Sequence, residues 1–464
     1  MKVEKQKVQK VVTHAQPRKK IEKVEKIKGI KDLKAVQDHY LDYPYPERDP
    51  EEDKTRLMKI YGDYLGEINH FLFEGKKDFS KDFRVLIAGG GTGDSTVYLA
   101  EQLKDTNAEI IYLDFSKNSM AIAQKRAEYR GLTNITWIND SILNIPNLGL
   151  GKFDYISCTG VLHHLENPDE GLKILADTLT RAGGIGIMVY AKYGRTGVYQ
   201  VQEMLKIVNE GITTRAEEVK NGWQIMNSLP VSNWYARGKD LLSDHLSFGD
   251  IGMYDMFLHK QDRAYTVPEL YDFVEKADLH FVDYSSPHSR IMLKPSSYFT
   301  DAEFLKKVQS MPKRSQEAIC EIMCGSIIKH SFYVSKKKSA QAKITDMDNV
   351  PYIYTIVNLP QQIADFVKHN QHMIGSIINF TFNSDFLPNA SINIPVSNYT
   401  EFLFRNMINA DKSLKEIHDA IEKDIGKKVS ETQFMVELNK IFPIMIEAGV
   451  LLFRNKKVKV APLI

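Results

Sequence analysis

The sequence predicts an α/β fold, a sheet of mostly parallel strands joined by helices, and three observations carry that prediction. Short apolar runs of strand character recur at Arg84 to Ala88, Glu109 to Leu113, Ile135 to Ile138, Phe153 to Cys158 and Ile185 to Val189. Between the first two, Val97-Tyr98-Leu99-Ala100-Glu101-Gln102-Leu103 is apolar at helical spacing, so strand and helix alternate. A glycine turn, Gly89-Gly90-Gly91-Thr92-Gly93, joins the first strand directly to that helix.

Each element has a local reason. Glycines let the backbone approach a ligand closely and adopt positive φ, while the helix start presents free N–H groups. Strand, glycine turn and helix therefore suit a nucleotide-type cofactor, NAD and FAD included. The second strand ends at Asp114, about 20 residues past the glycines, where a carboxylate can accept hydrogen bonds from both ribose hydroxyls. The third ends at Asn139-Asp140-Ser141, placed to read an adenine edge. The fourth runs into Thr159-Gly160-Val161-Leu162-His163-His164-Leu165, and Ala182-Gly183-Gly184 turns into the fifth.

Taken in order over residues 80–195, these motifs resemble the class I S-adenosylmethionine (SAM) methyltransferases. The resemblance implies a seven-stranded Rossmann-like sheet and SAM as methyl donor, with no metal. It would put Gly89, Gly91 and Gly93 around the methionine part, Asp114 on the ribose, Phe115 and Ile142 beside adenine, and Asp140 with Ser141 at the adenine edge. The turn from Gly160 to His164 would line the methyl-donor side. One departure stands out. The family usually ends its first strand with an acid two positions before the first glycine, and Ile87 stands there. Asp94, just past the turn, is the expected substitute for holding the ammonium group.

The closing elements come late. Thr266-Val267-Pro268-Glu269-Leu270 caps and opens a helix reaching Ala277, His280 to Tyr284 is a strand, and Ile327 to Val334 is the final, antiparallel strand. Insertions at about 190–264 and 286–325 separate them. The first insertion gathers titratable and aromatic residues. A helix there would set Asp255, His259 and Arg263 on one face, with Tyr254 beside them, over the edge of the fifth strand. These four, with His164, are the candidate acceptor-side residues; the alternative is that they only clip the insertion to the sheet.

Residues 36–335 thus form the expected methyltransferase domain. Before it, residues 1–35 are a lysine-rich tail that buries too little apolar surface to order. His39 to Pro46 alternates tyrosine with proline and resembles the lids that fold over SAM in this family. Thr55 to Phe73 has apolar residues at helical spacing and reads as one helix. Beyond a hydrophilic stretch, 336–348, expected to be a linker, residues 349–464 form a smaller α+β domain. Capping signals at Ser413 and Ser430 open two helices, and Val450 to Phe453 is a strand, which together resemble a winged-helix module. The second helix offers only Lys440 among acids, so interaction or regulation is expected rather than nucleic-acid reading.

Composition narrows the remaining classes. A 43% hydrophobic, 26% charged chain of 464 residues is ordinary for a globular protein of two to four domains, and a net charge of +2 gives no bulk attraction to nucleic acid. There is neither a membrane-spanning run nor a secretory core, so the three cysteines read as reduced thiols in a cytoplasmic protein. Adjacent histidines are poor chelators and no metal-binding spacing accompanies His163-His164. Cys320 and Cys324 read as small buried hydrophobes. The function expected is methyl transfer from SAM to an N or O acceptor, a protein favoured slightly over a small molecule. The alternatives are a SAM-binding sensor without chemistry, a small-molecule methyltransferase and an NAD-dependent oxidoreductase.

Overall fold

The computed structural model describes residues 45–459, apart from 61, 243, 260, 354–358, 370–373 and 385–386. The basic tail and the segment from His39 to Pro44 lie outside the described residues. Five parallel strands come first: β1 (Arg84–Ala88), β2 (Glu109–Asp114), β3 (Ile135–Asn139), β4 (Phe153–Thr159) and β5 (Leu179–Ala191). A two-residue strand, β6 (Ala264–Tyr265), extends the end of β5. Then β7 (His280–Tyr284) and β8 (Lys329–Ser335) close the sheet in the order β3-β2-β1-β4-β5-β8-β7, with β8 antiparallel to both neighbours. Both the seven-strand path and the antiparallel final strand agree with the sequence reading.

Strand periodicity fixes the two faces. Leu86 and Ala88 of β1 point into one core with the helices Pro168–Thr178 and Val267–Lys276. Val85 and Ile87 point into the other, with α1 (Leu65–Leu72) and α2 (Asp94–Leu103). Because β1 has β2 on one side and β4 on the other, the chain leaves it in both directions, and a crevice opens beyond its C-terminal end. Everything that matters for the site hangs from that edge.

Two expectations about helices need correcting. The single helix over Thr55 to Phe73 is only α1, because Gly62 takes a left-handed φ of +84° and Tyr64 is extended. The proposed continuous face through Asp255, His259 and Arg263 also fails. The helix Asp244–Phe257 is kinked at Gly249 and ends before His259. The rest of that insertion is helical, Val198–Val208 and Arg215–Ser228 packing around Tyr235, Met253 and Phe257.

The second unit pairs β9 (Asn349–Ile353) with β12 (Leu451–Asn455) and carries a hairpin, β10 (Ile377–Ser384) with β11 (Leu387–Pro395). Its helices Leu414–Ile425 and Glu431–Glu447 start at the serine caps read from the sequence. The stretch 336–348 is irregular but not a free tether. Ala342 N–H donates to the His70 carbonyl at 2.7 Å, and Phe453 N–H donates to His70 Nδ1 at 2.9 Å. Tyr352 and Leu452 lie in the same core as Tyr64, Ile68 and Phe71. The two units share that core across α1.

Candidate functional site

A cavity of about 740 Å³ runs along the C-terminal edge of the sheet, from the ends of β2 and β3 past the glycine turn to the insertion. Its first half is built by the turn. Gly89 has φ +80°, and a Cβ there would stand 2.3 Å from the Val161 side chain. Only glycine permits both. Gly91 and Gly93 also take positive φ, and Gly93 precedes α2, whose first N–H groups have no side-chain cap.

The predicted cofactor residues converge on this half. Gly89, Gly91, Gly93, Asp114, Phe115, Asp140, Ser141, Ile142 and Gly160 all line the one cavity. Asp114 is buried, and its carboxylate accepts from Gly91 N–H at 2.8 Å and Ser116 N–H at 2.7 Å. Burial raises its pKa, opposed by those two donors. It therefore shapes the turn as well as facing the space beside it. Asp140 accepts from Ser141 N–H at 2.7 Å and from the Asn144 amide at 2.9 Å.

Asp94 lines the cavity too, but its charge is committed elsewhere. Both its oxygens are bound by Arg48, at 2.9 and 2.8 Å, and one by Arg126, at 2.6 Å. Arg126 of the helix Lys117–Tyr129 is fully buried, pairs also with Asp53 and donates to the Thr92 carbonyl. These arginines hold the Asp94 carboxyl below its ordinary range against the cost of burial. Asp94 thus fastens the segment before the fold to the turn. Thr92 donates to the Pro46 carbonyl at 2.8 Å, and Tyr45 meets Phe248 of the insertion edge-on. Tyr45 and Pro46, the described end of the expected lid, and Arg48 just after it lie against the glycine turn.

At the other end the fourth-strand turn meets the insertion. His164, Tyr190, Arg195, Asp255 and Gln261 line this part of the wall. His164 and His259 stack with ring centroids 3.9 Å apart, and His163 is sandwiched between His164 and Tyr190. Burial drives the pKa of His163 and His259 well below the ordinary histidine value, so both are neutral. The backbone of one residue, Gln261, contacts both rings. Gln261 accepts at its carbonyl from His164 Nδ1, 3.0 Å away, and donates its N–H to His259 Nδ1 at 3.2 Å. A carbonyl only accepts and an N–H only donates. In its neutral form the His164 ring therefore carries its proton on Nδ1 with a lone pair on Nε2, and the neutral His259 is the reverse.

Asp255 reaches the cavity, and His259 stands behind His164. Tyr254 and Arg263 go elsewhere. The Tyr254 ring packs in the core of the insertion, and its hydroxyl is 3.5 Å from Glu218. Arg263 is exposed and lies over the Tyr265 ring, outside the cavity wall. Sequence reasoning passed over Gln261, whose role lies in its backbone. Arg195, which the sequence sets at the C-terminal edge of the fifth strand, is a buried guanidinium against Tyr190 whose Nε and Nη2 have no hydrogen-bond partner of good geometry among the described residues. Asp262, 3.5 Å from Arg195, balances its charge. Among the described residues no group of three or more His, Cys, Asp or Glu side chains could hold a metal.

With this geometry in view, residues 86–185 match a protein family described as a methyltransferase domain. The chain is 31% identical over 278 residues to an uncharacterized protein of Synechococcus, covering 59% of this chain and 65% of that protein's length. It is 25% identical over 179 residues to a ubiquinone biosynthesis O-methyltransferase of Vibrio parahaemolyticus, 37% of this chain and 74% of that enzyme. In fold it is similar to PKMT2 from Rickettsia typhi, solved in complex with AdoHcy, with a TM-score of 0.56 at 18% identity. That likeness covers 87% of this chain and 76% of PKMT2.

Proposed function

We propose that this chain, which carries a class I, Rossmann-like SAM methyltransferase domain, transfers a methyl group from SAM to a nitrogen or oxygen of an acceptor. One observation carries the reading: a single cavity joins the glycine turn and Asp114 to His164, whose Nδ1 is held by the Gln261 carbonyl. Bound SAM would supply an electrophilic methyl on a sulfonium, whose leaving group departs neutral. The residues present fit it: a turn open to close approach, a ribose-facing carboxylate at Asp114, and Asp140, Ser141 and Ile142 at the adenine end. The protein's own contribution is then alignment and proton removal.

His164 Nε2 takes the acceptor proton, because Gln261 keeps the other nitrogen protonated. The neutral His259 stacked behind it adds no charge to oppose that. Asp255 and Arg195 orient the acceptor from the insertion side. We place the acceptor on a protein. The insertion that closes this end exposes Val231, Trp234 and Leu246, apolar surface suited to a macromolecular partner. No described helix is long and apolar enough to cross a membrane, and the three cysteines are unpaired; a cytoplasmic setting accords with both.

Mass spectrometry of proteins and metabolites from cells with and without the gene tests this reading. A gain of one methylene in mass, present only with the gene, is expected on a protein. A gain confined to a metabolite moves the acceptor to a small molecule. No difference in either pool refutes the transfer.

A further inference from the structure

Behind the glycine turn lies a carboxylate set back from the cavity wall. Asp63, just before α1, is 2% exposed. Its Oδ1 shares the Tyr155 hydroxyl proton with the Gly62 carbonyl, each oxygen 2.8 Å away, and its Oδ2 accepts from the Ser157 hydroxyl at 3.1 Å. Burial lifts its pKa to about 6, against hydrogen bonds from Ser95, Tyr155 and Ser157 that lower it. Among the described residues no cation is paired with it. The buried guanidinium of that layer, Arg290, lies 3.8 Å from Glu67 instead.

The other carboxylates at this end of the cavity are committed. Asp94 is held by two arginines, Asp114 by two backbone N–H groups, and Asp140 by a backbone N–H and an amide. Asp63 alone combines a buried charge with hydroxyl donors only. A hydroxyl has one proton to give. Ser157 gives its proton to Asp63, so the lone pairs of its oxygen remain for another donor, and both Ser157 and Ser95 line the cavity. The strand neighbour opposite Ser157, Ile87, is apolar and brings no charge. Ser157 and Ser95 therefore offer the cavity hydroxyl oxygens with a negative charge behind them, suited to a positively charged N–H donor.

We infer that Asp63 is a positioning residue that acts through Ser157 and Ser95 to hold the ammonium group of the methionine part of SAM. The assignment rests on SAM being the cofactor of this cavity. It replaces Asp94, whose charge is spent on Arg48 and Arg126.

Two ligands separate the possibilities: AdoHcy, which has the ammonium group, and 5′-methylthioadenosine, which keeps the adenosine and thioether but lacks the amino-acid end. Calorimetry on the full chain should show Asp63→Asn binding AdoHcy about tenfold or more weaker, with 5′-methylthioadenosine held within about twofold of wild type. A merely structural role would not change the ratio of the two affinities. If both ligands weaken alike, or neither does, the inference is overturned while the cofactor reading stands. If the wild-type chain binds neither ligand, the cofactor reading fails and takes this inference with it. Should Asp63→Asn not fold, Ser157→Ala decides the matter: selective loss of AdoHcy supports the role, and unchanged AdoHcy affinity overturns it.

Discussion

Asp114→Asn separates the role the structure shows for this carboxylate, holding the glycine turn, from the ribose contact proposed for it. The side chain is buried, and its two oxygens accept from Gly91 and Ser116 N–H at 2.8 and 2.7 Å. An asparagine of the same shape keeps one acceptor oxygen and turns an NH₂ towards the other donor. Losing a charged acceptor costs about 1.5–3 kcal/mol, and a buried N–H left unpaired costs about 1–3 kcal/mol. Against this, burial already disfavours the charged form, so removing the charge returns part of the loss. Net stability should therefore fall by less than those two costs together. The cofactor has no such compensation, because its ribose hydroxyls need acceptors and would meet a donor. Affinity for AdoHcy should fall by about 2 kcal/mol, roughly 30-fold. Titration calorimetry reads the affinity and urea unfolding the stability. AdoHcy affinity within twofold of wild type would refute the assignment. A loss of binding that merely tracks loss of stability would reduce Asp114 to a strut for the turn.

Two further outcomes follow from the packing. A chain cut after residue 338 loses Tyr352 and Leu452 from the core around Tyr64, Ile68 and Phe71, and loses the Phe453 N–H that His70 accepts. It should be insoluble or show no sharp thermal transition, whereas a cooperative melt would restore 336–348 as a true boundary. The second outcome concerns pH. Burial raises Asp63 and Glu67 to about 6 and about 7, so their stabilising contribution is full below about pH 4 and is lost as pH rises through those values. His70, pushed down to about 3 by burial, works in the opposite sense: its contribution is full above about pH 6.5 and is lost as pH falls towards 3. Relative to wild type without ligand, Asp63→Asn should thus gain stability between about pH 4 and 7. The gain is up to about 3 kcal/mol, from 1.36 kcal/mol per pH unit between 3.8 and about 6. A stability difference that does not vary across that range would contradict the burial of a charged Asp63.

The glycine-turn half of the cavity was legible because it is written in consecutive residues. A strand, its glycine turn and an acid at the end of the next strand are local signals, and the parallel register then sets Asp114, Asn139 and Thr159 along one edge. The acceptor half was only partly legible. Asp255 and His164 reach the wall, but Gly249 and the helix end at Phe257 break the face that spacing implied, so Tyr254 and Arg263 diverge from it. Sequence carries no mark of a left-handed Gly62 inside an apolar periodicity, nor of histidine rings held by the Gln261 backbone. Asp63 was missed for the same reason: it is about 94 residues away along the chain from the Ser157 it binds, and only the fold brings them together. The hydrophilic stretch 336–348 misled in the other direction, because lysines at its surface conceal Ala340 and Ala342, which are buried.

The most direct test of the account uses the purified full chain, SAM labelled in its methyl group, and an extract of cells lacking the gene. Wild type should pass label to an acceptor. His164→Ala should keep its AdoHcy affinity and lose transfer by about 100-fold or more, the scale of a removed general base. A wild-type chain that binds AdoHcy yet transfers no label above a heat-killed control would contradict the account and leave a SAM-binding protein without chemistry.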